Sequence, residues 1–365
     1  MAVDSSPPVL IVCDPELGSL RIAAVSLLGR LLVAAQRAGA GPITVICRGH
    51  FPEVPRARAL GVEWDTARTP QVKGPTLLIE ASALAQAGDL QRLIAHGGRL
   101  ATSSKTPLPI GMAEEWRGSV AESLKGRRRL VAEGAAVAVC DRLSAAVAEA
   151  ALWDTMGSST DGLVDRYFNR PVGRLFSRLL IHTPVSPNVV SVIATLIGLS
   201  SCWFFAQGGH YHMILGALML QFSAVIDCVD GDLARVLFKE SESGKWIDLG
   251  GDQVVHVGLF TSLAMGLHRM DSPAPELWLG LSAVVGVAMA FVMVLRGMLR
   301  PEHRSNRRLQ TLIDRTTNRD FSVLVLLLAI VNRLDIFLWL TAIGVHIFWL
   351  IAWRLQQTQA AVKEA

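Results

Sequence analysis

The sequence predicts a multi-domain protein, with a soluble α/β domain over residues 1–156 followed by an all-α membrane domain of six helices. Up to residue 156, short apolar runs alternate with helical patterns, which favours a mostly parallel sheet with helices on its faces. From about Val189 onward, long apolar runs dominate and raise the mean hydropathy of the chain to +0.39.

The α/β domain contains four predicted strands with helical patterns between them. Each strand is a short apolar run; the runs are Val9–Cys13, Ile43–Cys47, Thr76–Glu80 and Ala136–Cys140. Helical patterns cover Leu20–Ala38 and Ala81–His96. Gly39–Pro42 has turn chemistry and separates a helix from the strand that follows.

Residues 157–187 predict an amphipathic helix along the membrane surface, in which Pro171 introduces a kink. One face is apolar and the other is basic, with arginine at every fourth position; the apolar residues are Leu163, Tyr167, Phe168, Leu175, Phe176 and Leu179, and the basic ones are Arg166, Arg170, Arg174 and Arg178. The membrane domain follows over residues 188–356, and residues 357–365 form a tail. A membrane-spanning helix needs about 20 apolar residues, and we place the six spans at roughly 188–207, 211–227, 248–267, 276–295, 319–332 and 336–353.

Positive charge predicts the orientation of the membrane domain. Arginines crowd the loop between the fourth and fifth spans, whereas the turns at Gly208–Tyr211 and His268–Pro275 carry almost none. By the positive-inside rule, both termini and the tail then lie in the cytoplasm, at the inner (plasma) membrane. No cleavable signal peptide is expected, because a basic region leading into an apolar core is missing at the N-terminus. The five cysteines are dispersed, which indicates a reducing compartment.

Two pairs of aspartates stand at the edges of neighbouring apolar segments. Asp227 and Asp230 are spaced i,i+3, and Asp248 and Asp252 are spaced i,i+4, so each pair shares one helical face. If the two helices pack antiparallel, four carboxylates converge and raise one another's pKa unless cations compensate them. Two Mg²⁺ or Mn²⁺ ions would do so, as in two-metal phosphoryl chemistry.

Residues with little or no side chain lie close to these acids. Gly231, Ala234 and Gly244 leave space in which a ligand can approach the backbone, and Arg235 supplies a planar cation suited to phosphate. Metals, a cation and cleared space together suit a pyrophosphate diester. The net charge of +4 is modest, and no basic stripe rich in aromatic residues is present, so a nucleic-acid partner is not expected.

The whole pattern resembles the signature of the CDP-alcohol phosphotransferase (phosphatidyltransferase) family, and it reads Asp227-x2-Asp230-Gly231-x2-Ala234-Arg235-x8-Gly244-x3-Asp248-x3-Asp252. The resemblance implies transfer of a substituted phosphate from a CDP-alcohol to a hydroxyl acceptor, with release of CMP, in phospholipid or inositol phosphodiester synthesis. It implies that the metals are held by Asp227, Asp230, Asp248 and Asp252. Asp252 would also be the general base, and the CDP pocket would be lined by Asp230, Gly231, Ala234, Arg235 and Gly244.

The resemblance also implies partners. The donor would be a lipid of the CDP-diacylglycerol kind or CDP-inositol, and the acceptor an alcohol such as inositol phosphate. Membrane lipids surround the domain, and a homodimer is expected because members of the family commonly dimerise. For the acceptor's phosphate, the residues themselves offer Arg296 and Arg319 at the ends of spans, although both also fit a simple topology signal.

The domain order resembles bifunctional inositol-phosphate cytidylyltransferase/di-myo-inositol-phosphate-phosphate synthases, which implies a Rossmann-like, nucleotidyltransferase-like N-terminal domain. This chain departs from that pattern. The stretch Cys13–Ile22 has one glycine and no lysine nearby, and the segment after the middle strand reads Leu-Leu-Ile-Glu-Ala-Ser. We therefore expect an inactive domain with a structural, regulatory or dimerising role. The alternative is an active cytidylyltransferase in which Asp14 and Glu80 serve as substitutes.

Two alternatives of another class stay open for the membrane domain. The acids would form a transport site in a divalent metal transporter, which also requires polar residues in the middle of several spans, and few are found. A non-catalytic membrane scaffold would not require an acid at every motif position.

Overall fold

The structure is a computed structural model that describes residues 6–157, 161–270, 275–299 and 320–364. The chain divides into two compact units, an α/β unit (Met1–Met156) and a helical unit (Gly157–Ala365). The predicted order of an α/β region followed by a helical region is confirmed.

The α/β unit contains strands β1–β11 and helices α1–α6. The strands are Val9–Cys13, Arg21–Ile22, Val25–Ser26, Ile43–Cys47, Asp65–Thr66, Thr76–Glu80, Ala83–Leu84, Arg99–Ala101, Pro107–Ala113, Arg129–Val131 and Val137–Ala138. The helices are Pro15–Ser19, Leu27–Arg37, Pro55–Ala59, Ala87–His96, Val120–Ser123 and Arg142–Asp154.

In the described part of this unit, seven strands form one sheet in the order β10-β8-β9-β6-β1-β4-β5. Parallel pairs join β1 to β4 and to β6, β4 to β5, and β8 to β10. Strand β9 runs antiparallel to both β6 and β8. The central strands β1 and β6 are apolar and almost fully buried, as expected when both faces of a sheet are covered.

Strands β1, β4 and β6 occupy the predicted ranges, whereas other boundaries differ. The helix predicted from Leu20 begins at Leu27, because β2 and β3 form a hairpin whose turn places Ala23 and Ala24 at φ 46° and 64°. The strand predicted at Ala136–Cys140 shrinks to β11, which pairs antiparallel with β7 outside the main sheet. These two-residue strands depend on tertiary pairing, so their sequences carry little local signal.

The helical unit begins with a wide helical turn at Asp165–Asn169 that continues into α7. Helices α7–α13 are Arg170–Leu180, Pro187–Gln207, His210–Val236, Glu242–Arg269, Glu276–Leu299, Phe321–Ile330 and Leu334–Glu364. Serine side chains cap the first turns of α8 and α10. The Ser186 hydroxyl accepts a hydrogen bond from the amide of Val189 in α8, and the Ser241 hydroxyl accepts one from the amide of Gly244 in α10.

Within the described residues, four helices are long and apolar enough to cross a membrane: α8, α9, α11 and the Leu334–Gln357 part of α13. Helix α10 has 28 residues, but polar side chains such as Asp252, Gln253 and His256 lower its hydropathy. Helix α12 has only 10 residues. Each predicted span therefore corresponds to a helix, while six membrane crossings stay a prediction.

Close packing between helices depends on small residues. A Cβ added at Gly198 in α8 would lie 2.7 Å from Val255 in α10, and one at Gly266 in α10 would lie 1.9 Å from the carbonyl oxygen of Phe205 in α8. Both contacts are shorter than atoms tolerate, so these glycines allow the helices to approach closely. Helix α10, which carries Asp248 and Asp252, is thereby held against α8.

The segment predicted to lie along the membrane keeps its apolar residues on the outside. Leu163, Tyr167, Leu175 and Leu179 are all exposed. Its arginines do not behave alike, because Arg170 is buried while Arg178 is exposed. Arg170 therefore does not share the exposed basic face that the arginine spacing predicts, and its partners explain the burial.

Candidate active site

Three of the four predicted acids converge. Asp227 and Asp230 lie on one face of α9, and Asp248 lies one turn inside the start of α10. One carboxylate oxygen from each lies within 4.8 Å of those from the other two. Asp230 is buried and the other two are half-buried. Carboxylates at this separation repel one another, and a divalent cation with oxygen ligands would offset the repulsion.

The donor set fits such an ion. Hard divalent cations bind carboxylate oxygens, and the three aspartates supply them from two helices that are fixed against a third. Ser191 on α8 donates a hydrogen bond to Oδ2 of Asp230, which orients that carboxylate. The cluster is therefore a candidate divalent-metal site.

Asp252 lies one turn after Asp248 on α10 and is not part of this three-carboxylate group of the described residues. It lines a small cavity of about 30 Å³ together with Asp227, Thr195, Ser223 and His256. A space of that size can hold one or two water molecules. Asp252 therefore stands beside the metal cluster, where a small polar group can reach it.

The residues predicted for a CDP pocket line one cavity. Gly231, Ala234, Arg235 and Gly244 surround a polar space of about 260 Å³, and Asp230 and Asp248 form its border with the acidic cluster. A Cβ at Gly244 would lie 2.7 Å from Oδ1 of Asn188, so a larger residue would collide with α8. The cavity is also lined by the cations Lys239 and Lys245, which suit a phosphorylated ligand.

Arg235 is held by an ion network that the sequence did not predict. Asp232 is completely buried, and its Oδ1 accepts hydrogen bonds from Arg235 at 2.8 Å and from Arg170 at 2.9 Å. Arg170 also forms a bidentate salt bridge with the Asp161 carboxylate. Of these residues, only Asp232 has a position that draws attention in the sequence, because it lies between residues of the motif. The sequence does not reveal that its side chain is buried.

A second acid outside the motif anchors the surface segment. The Asp320 carboxylate accepts hydrogen bonds from the backbone amides of Leu163 at 2.8 Å and Val164 at 2.9 Å. It therefore caps the start of the helical segment that leads into α7. The contact ties the beginning of that segment to the start of α12.

Of the two predicted acceptor residues, Arg296 belongs to the described part of the chain and Arg319 does not. Arg296 is exposed in the last turn of α11. Arg319 lies outside the described residues. Neither has a described contact with the aspartates, so their role stays a prediction.

A third cavity meets the acidic cluster from another side. It has a volume of about 370 Å³ and lies between α10, α11, α12 and α13. Its lining is mainly apolar and includes five phenylalanines: Phe260, Phe291, Phe321, Phe337 and Phe348. Asp252, His256 and Phe321 line both this cavity and the small polar one.

The α/β unit has its own cavity, at the carboxyl ends of β1, β4 and β6. About 330 Å³ in volume, it is lined by Cys13, Asp14, Arg48 and Glu80, among others. The Asp14 carboxylate already accepts from the amides of Glu16 and Leu17 as the cap of α1. Burial raises the pKa of the Cys13 thiol to about 12, which leaves it a poor nucleophile.

Comparison with known proteins decides the class of the helical unit. Residues 184–354 match the family described as CDP-alcohol phosphatidyltransferase. This part of the helical unit matches a CDP-alcohol phosphatidyltransferase domain. That domain begins just before α8, ends within α13 and includes every residue of the aspartate signature. The resemblance inferred from the signature is confirmed.

The chain is similar to proteins named bifunctional IPC transferase and DIPP synthase. It is 25% identical to the Aquifex aeolicus protein over 165 aligned residues. The aligned region covers 45% of this chain and 37% of the relative. For Rubrobacter xylanophilus the identity is 28% over 151 residues, or 38% of this chain and 34% of the relative. For Archaeoglobus fulgidus it is 32% over 90 residues, or 25% and 17%. The chain thus spans between 17% and 37% of the length of these curated relatives.

Proposed function

We propose that the protein is an integral-membrane CDP-alcohol phosphotransferase, which transfers a substituted phosphate from a CDP-alcohol to an acceptor hydroxyl and releases CMP. The observation that carries this proposal is the convergence of Asp227, Asp230 and Asp248 beside the polar cavity of Arg235. The family match over residues 184–354 supports it. The reaction serves phospholipid or inositol phosphodiester synthesis.

The residues divide the work by position. Asp227, Asp230, Asp248 and Asp252 would hold Mg²⁺ or Mn²⁺, with two ions per site, and these ions would supply charge neutralisation at the diphosphate. Arg235 contacts the diphosphate from the polar cavity, where Gly231, Ala234 and Gly244 leave room for the cytidine. Their shared lining of one cavity supports this assignment.

Asp252 is the general base. It takes the proton of the acceptor hydroxyl, whose oxygen forms a bond to the β-phosphorus of the donor while the bond from that phosphorus to the bridging oxygen breaks. CMP leaves with the bridging oxygen. The small cavity that Asp252 shares with Asp227 supports this role, because a hydroxyl fits there next to the metal cluster.

The proposal includes a setting in the cell. The protein lies in the inner membrane as a homodimer, with its termini and its aspartates on the cytoplasmic side. The described helices that meet the criteria for a membrane span support the membrane location, and the arginine-rich loop supports the orientation. Arg296 and Arg319 are the proposed contacts for any acceptor that carries a phosphate, such as inositol phosphate.

A CMP-release assay tests the reaction class. The purified protein in detergent receives a panel of donors, namely CDP-diacylglycerol and CDP-inositol, with inositol phosphate and lipid alcohols as acceptors. We expect CMP only with Mg²⁺ or Mn²⁺ present, and loss of release with a chelator. Metal uptake into proteoliposomes without CMP from any donor would favour a transporter instead, and no metal response at all would favour a scaffold.

The role of Asp252 is tested by Asp252→Asn. Loss of a general base lowers turnover by roughly 10²–10⁴-fold, while binding of the CDP-alcohol should persist. The control is Asp335→Asn, because Asp335 pairs with Arg333 at the start of α13 and does not line the described cavities of the site. Unchanged turnover in Asp252→Asn would contradict the assignment.

We also propose that the α/β unit does not transfer nucleotides and serves a structural, regulatory or dimerising role. The engagement of Oδ1 of Asp14 as the cap of α1 supports a structural role for this residue. The full-length protein should release no pyrophosphate from CTP and inositol phosphate. Clear release, abolished by Glu80→Gln, would establish the bifunctional alternative.

A further inference from the structure

We propose that the acceptor is a lipid alcohol, whose apolar chain occupies the aromatic cavity between α10, α11, α12 and α13 and whose hydroxyl reaches Asp252. The inference rests on the proposed phosphotransferase function and adds the chemical class of its acceptor. The cavity's volume of about 370 Å³ falls within the range of about 300–1,000 Å³ typical of small-molecule sites.

The position of the cavity assigns it to the acceptor and not to the donor. The cytidine pocket with Arg235 borders the cluster at Asp230 and Asp248. The aromatic cavity instead adjoins it through Asp252 and His256, which also line the small polar cavity. A molecule in the aromatic cavity therefore meets the base, while the donor's diphosphate lies on the other side of the metal ligands.

The lining of the cavity selects an apolar molecule. Stacked aromatic rings form part of its wall, with Phe337 stacked between Phe260 at 6.0 Å and Phe321 at 6.2 Å. Among the described residues, the polar groups that line it are Asp252, Gln253, His256 and Thr341, and none of the lining residues is Lys or Arg. A phosphorylated polyol would lose its hydration there without gaining a cation, whereas an acyl chain gains from leaving water.

The reaction balances with this acceptor. The lipid hydroxyl gives its proton to Asp252, and its oxygen forms a bond to the β-phosphorus of the CDP-alcohol. The phosphorus–oxygen bond to the CMP moiety breaks, and CMP leaves with the electron pair of that bond. The product is a phosphodiester that joins the donor's alcohol to the lipid.

The cavity can be filled without disturbing its walls. Gly344 lines it from α13, and a Cβ added there meets nothing within 4 Å. The ring added in Gly344→Phe should therefore fill the space that the apolar chain of the lipid would occupy. Ala290→Trp does the same from the opposite wall, on α11. Leu340→Phe is the matched control, since it adds a ring at an exposed position of the same helix that does not line the cavity.

The test measures CMP release with one donor, CDP-inositol, and two acceptors, dioctanoylglycerol and inositol phosphate. We expect release with dioctanoylglycerol, a rise of about tenfold or more in its KM in Gly344→Phe and Ala290→Trp, and a change within about twofold in Leu340→Phe. A tenfold change corresponds to about 1.4 kcal/mol, less than the burial of two methylene groups. Binding of CDP-inositol, measured directly, should be unchanged and serves as the check on folding.

Several outcomes overturn the inference. If inositol phosphate supports turnover and dioctanoylglycerol does not, the acceptor is soluble although the phosphotransferase function stands. Unchanged lipid kinetics in both filling variants mean that the cavity holds only a bystander lipid or a second copy's helix. Equal losses with both acceptors mean a general distortion of the site. Absence of CMP with every donor and acceptor would instead overturn the proposed function itself.

Discussion

The buried ion network behind Arg235 yields a quantitative prediction about stability. Replacing Arg170 by Met keeps most of the side chain's bulk but removes the cation between Asp161 and Asp232. Asp232 is fully buried and would lose one of the two arginines that donate hydrogen bonds to its Oδ1. Loss of one cationic partner from a buried carboxylate strongly destabilises the folded state relative to the unfolded state.

The magnitude follows from the burial of the partners. Removing one member of a buried ion pair costs roughly 3–5 kcal/mol, and the remaining Arg235 contact places the expected loss at about 3 kcal/mol. For a unit of about 200 residues, each kcal/mol lowers the melting temperature by about 2–4 °C, so Arg170→Met should melt about 6–12 °C lower. In the cycle with Asp232→Asn, the double variant should lose clearly less than the sum of the single losses.

Thermal unfolding in detergent, followed by tryptophan fluorescence, measures these shifts. Arg178→Met is the matched control, because Arg178 lies on the same helix but is exposed, where an ion pair contributes about 0–1 kcal/mol. The activity assay adds a second readout, since a loosened Arg235 should raise the KM for the CDP-alcohol more than it lowers kcat. A melting temperature of Arg170→Met equal to that of Arg178→Met would refute the argument.

Three further predictions follow from local contacts. Gly266→Ala should destabilise the fold by about 1–3 kcal/mol and lower its melting temperature, because the new Cβ would collide with the Phe205 carbonyl. Gly344→Ala should leave the melting temperature unchanged, because its Cβ meets free space. Equal melting temperatures of the two variants would contradict this prediction. Cys140 is exposed and should react with iodoacetamide at pH 8 well before Cys13, whose pKa is raised to about 12 by burial, as peptide mapping by mass spectrometry can show; early labelling of Cys13 would contradict its burial. Hydrogen bonds from Ser144 lower the pKa of Asp141 in the folded protein. At a pH above the ordinary pKa of an aspartate, the ionised cap therefore stabilises the fold, and this stabilisation is lost as the pH falls through the lowered pKa. The gap in melting temperature between wild type and Asp141→Ala should therefore narrow in acid, and a gap independent of pH would show that the charge is not involved.

The aspartate signature could be predicted from the sequence because it depends on helix geometry alone. Spacings of three and four residues place acids on one face, and two apolar segments separated by a short link pack side by side. Asp227, Asp230 and Asp248 meet as this reasoning requires, whereas Asp252, the fourth predicted acid, is not in the described group. The central strands were equally predictable, since β1, β4 and β6 are apolar runs that a covered parallel sheet demands.

Other features depend on long-range packing, which leaves no local pattern. The roles of Asp232 and Arg170 arise because residues 62 positions apart meet in a buried site. The short strands β2, β3, β7 and β11 form only through pairing with one another. The aromatic cavity is made by phenylalanines from four helices, each of which reads in the sequence as an ordinary apolar residue.

The order of the two units, the class of the helical domain and the residues of its acidic cluster were thus determined by the sequence itself, because periodicity and motif spacing are local properties of a chain. Tertiary structure alone decided which arginine is buried, how Arg235 is held and what kind of space opens next to Asp252. Those properties depend on which distant side chains exclude water together, and no spacing along the chain specifies that.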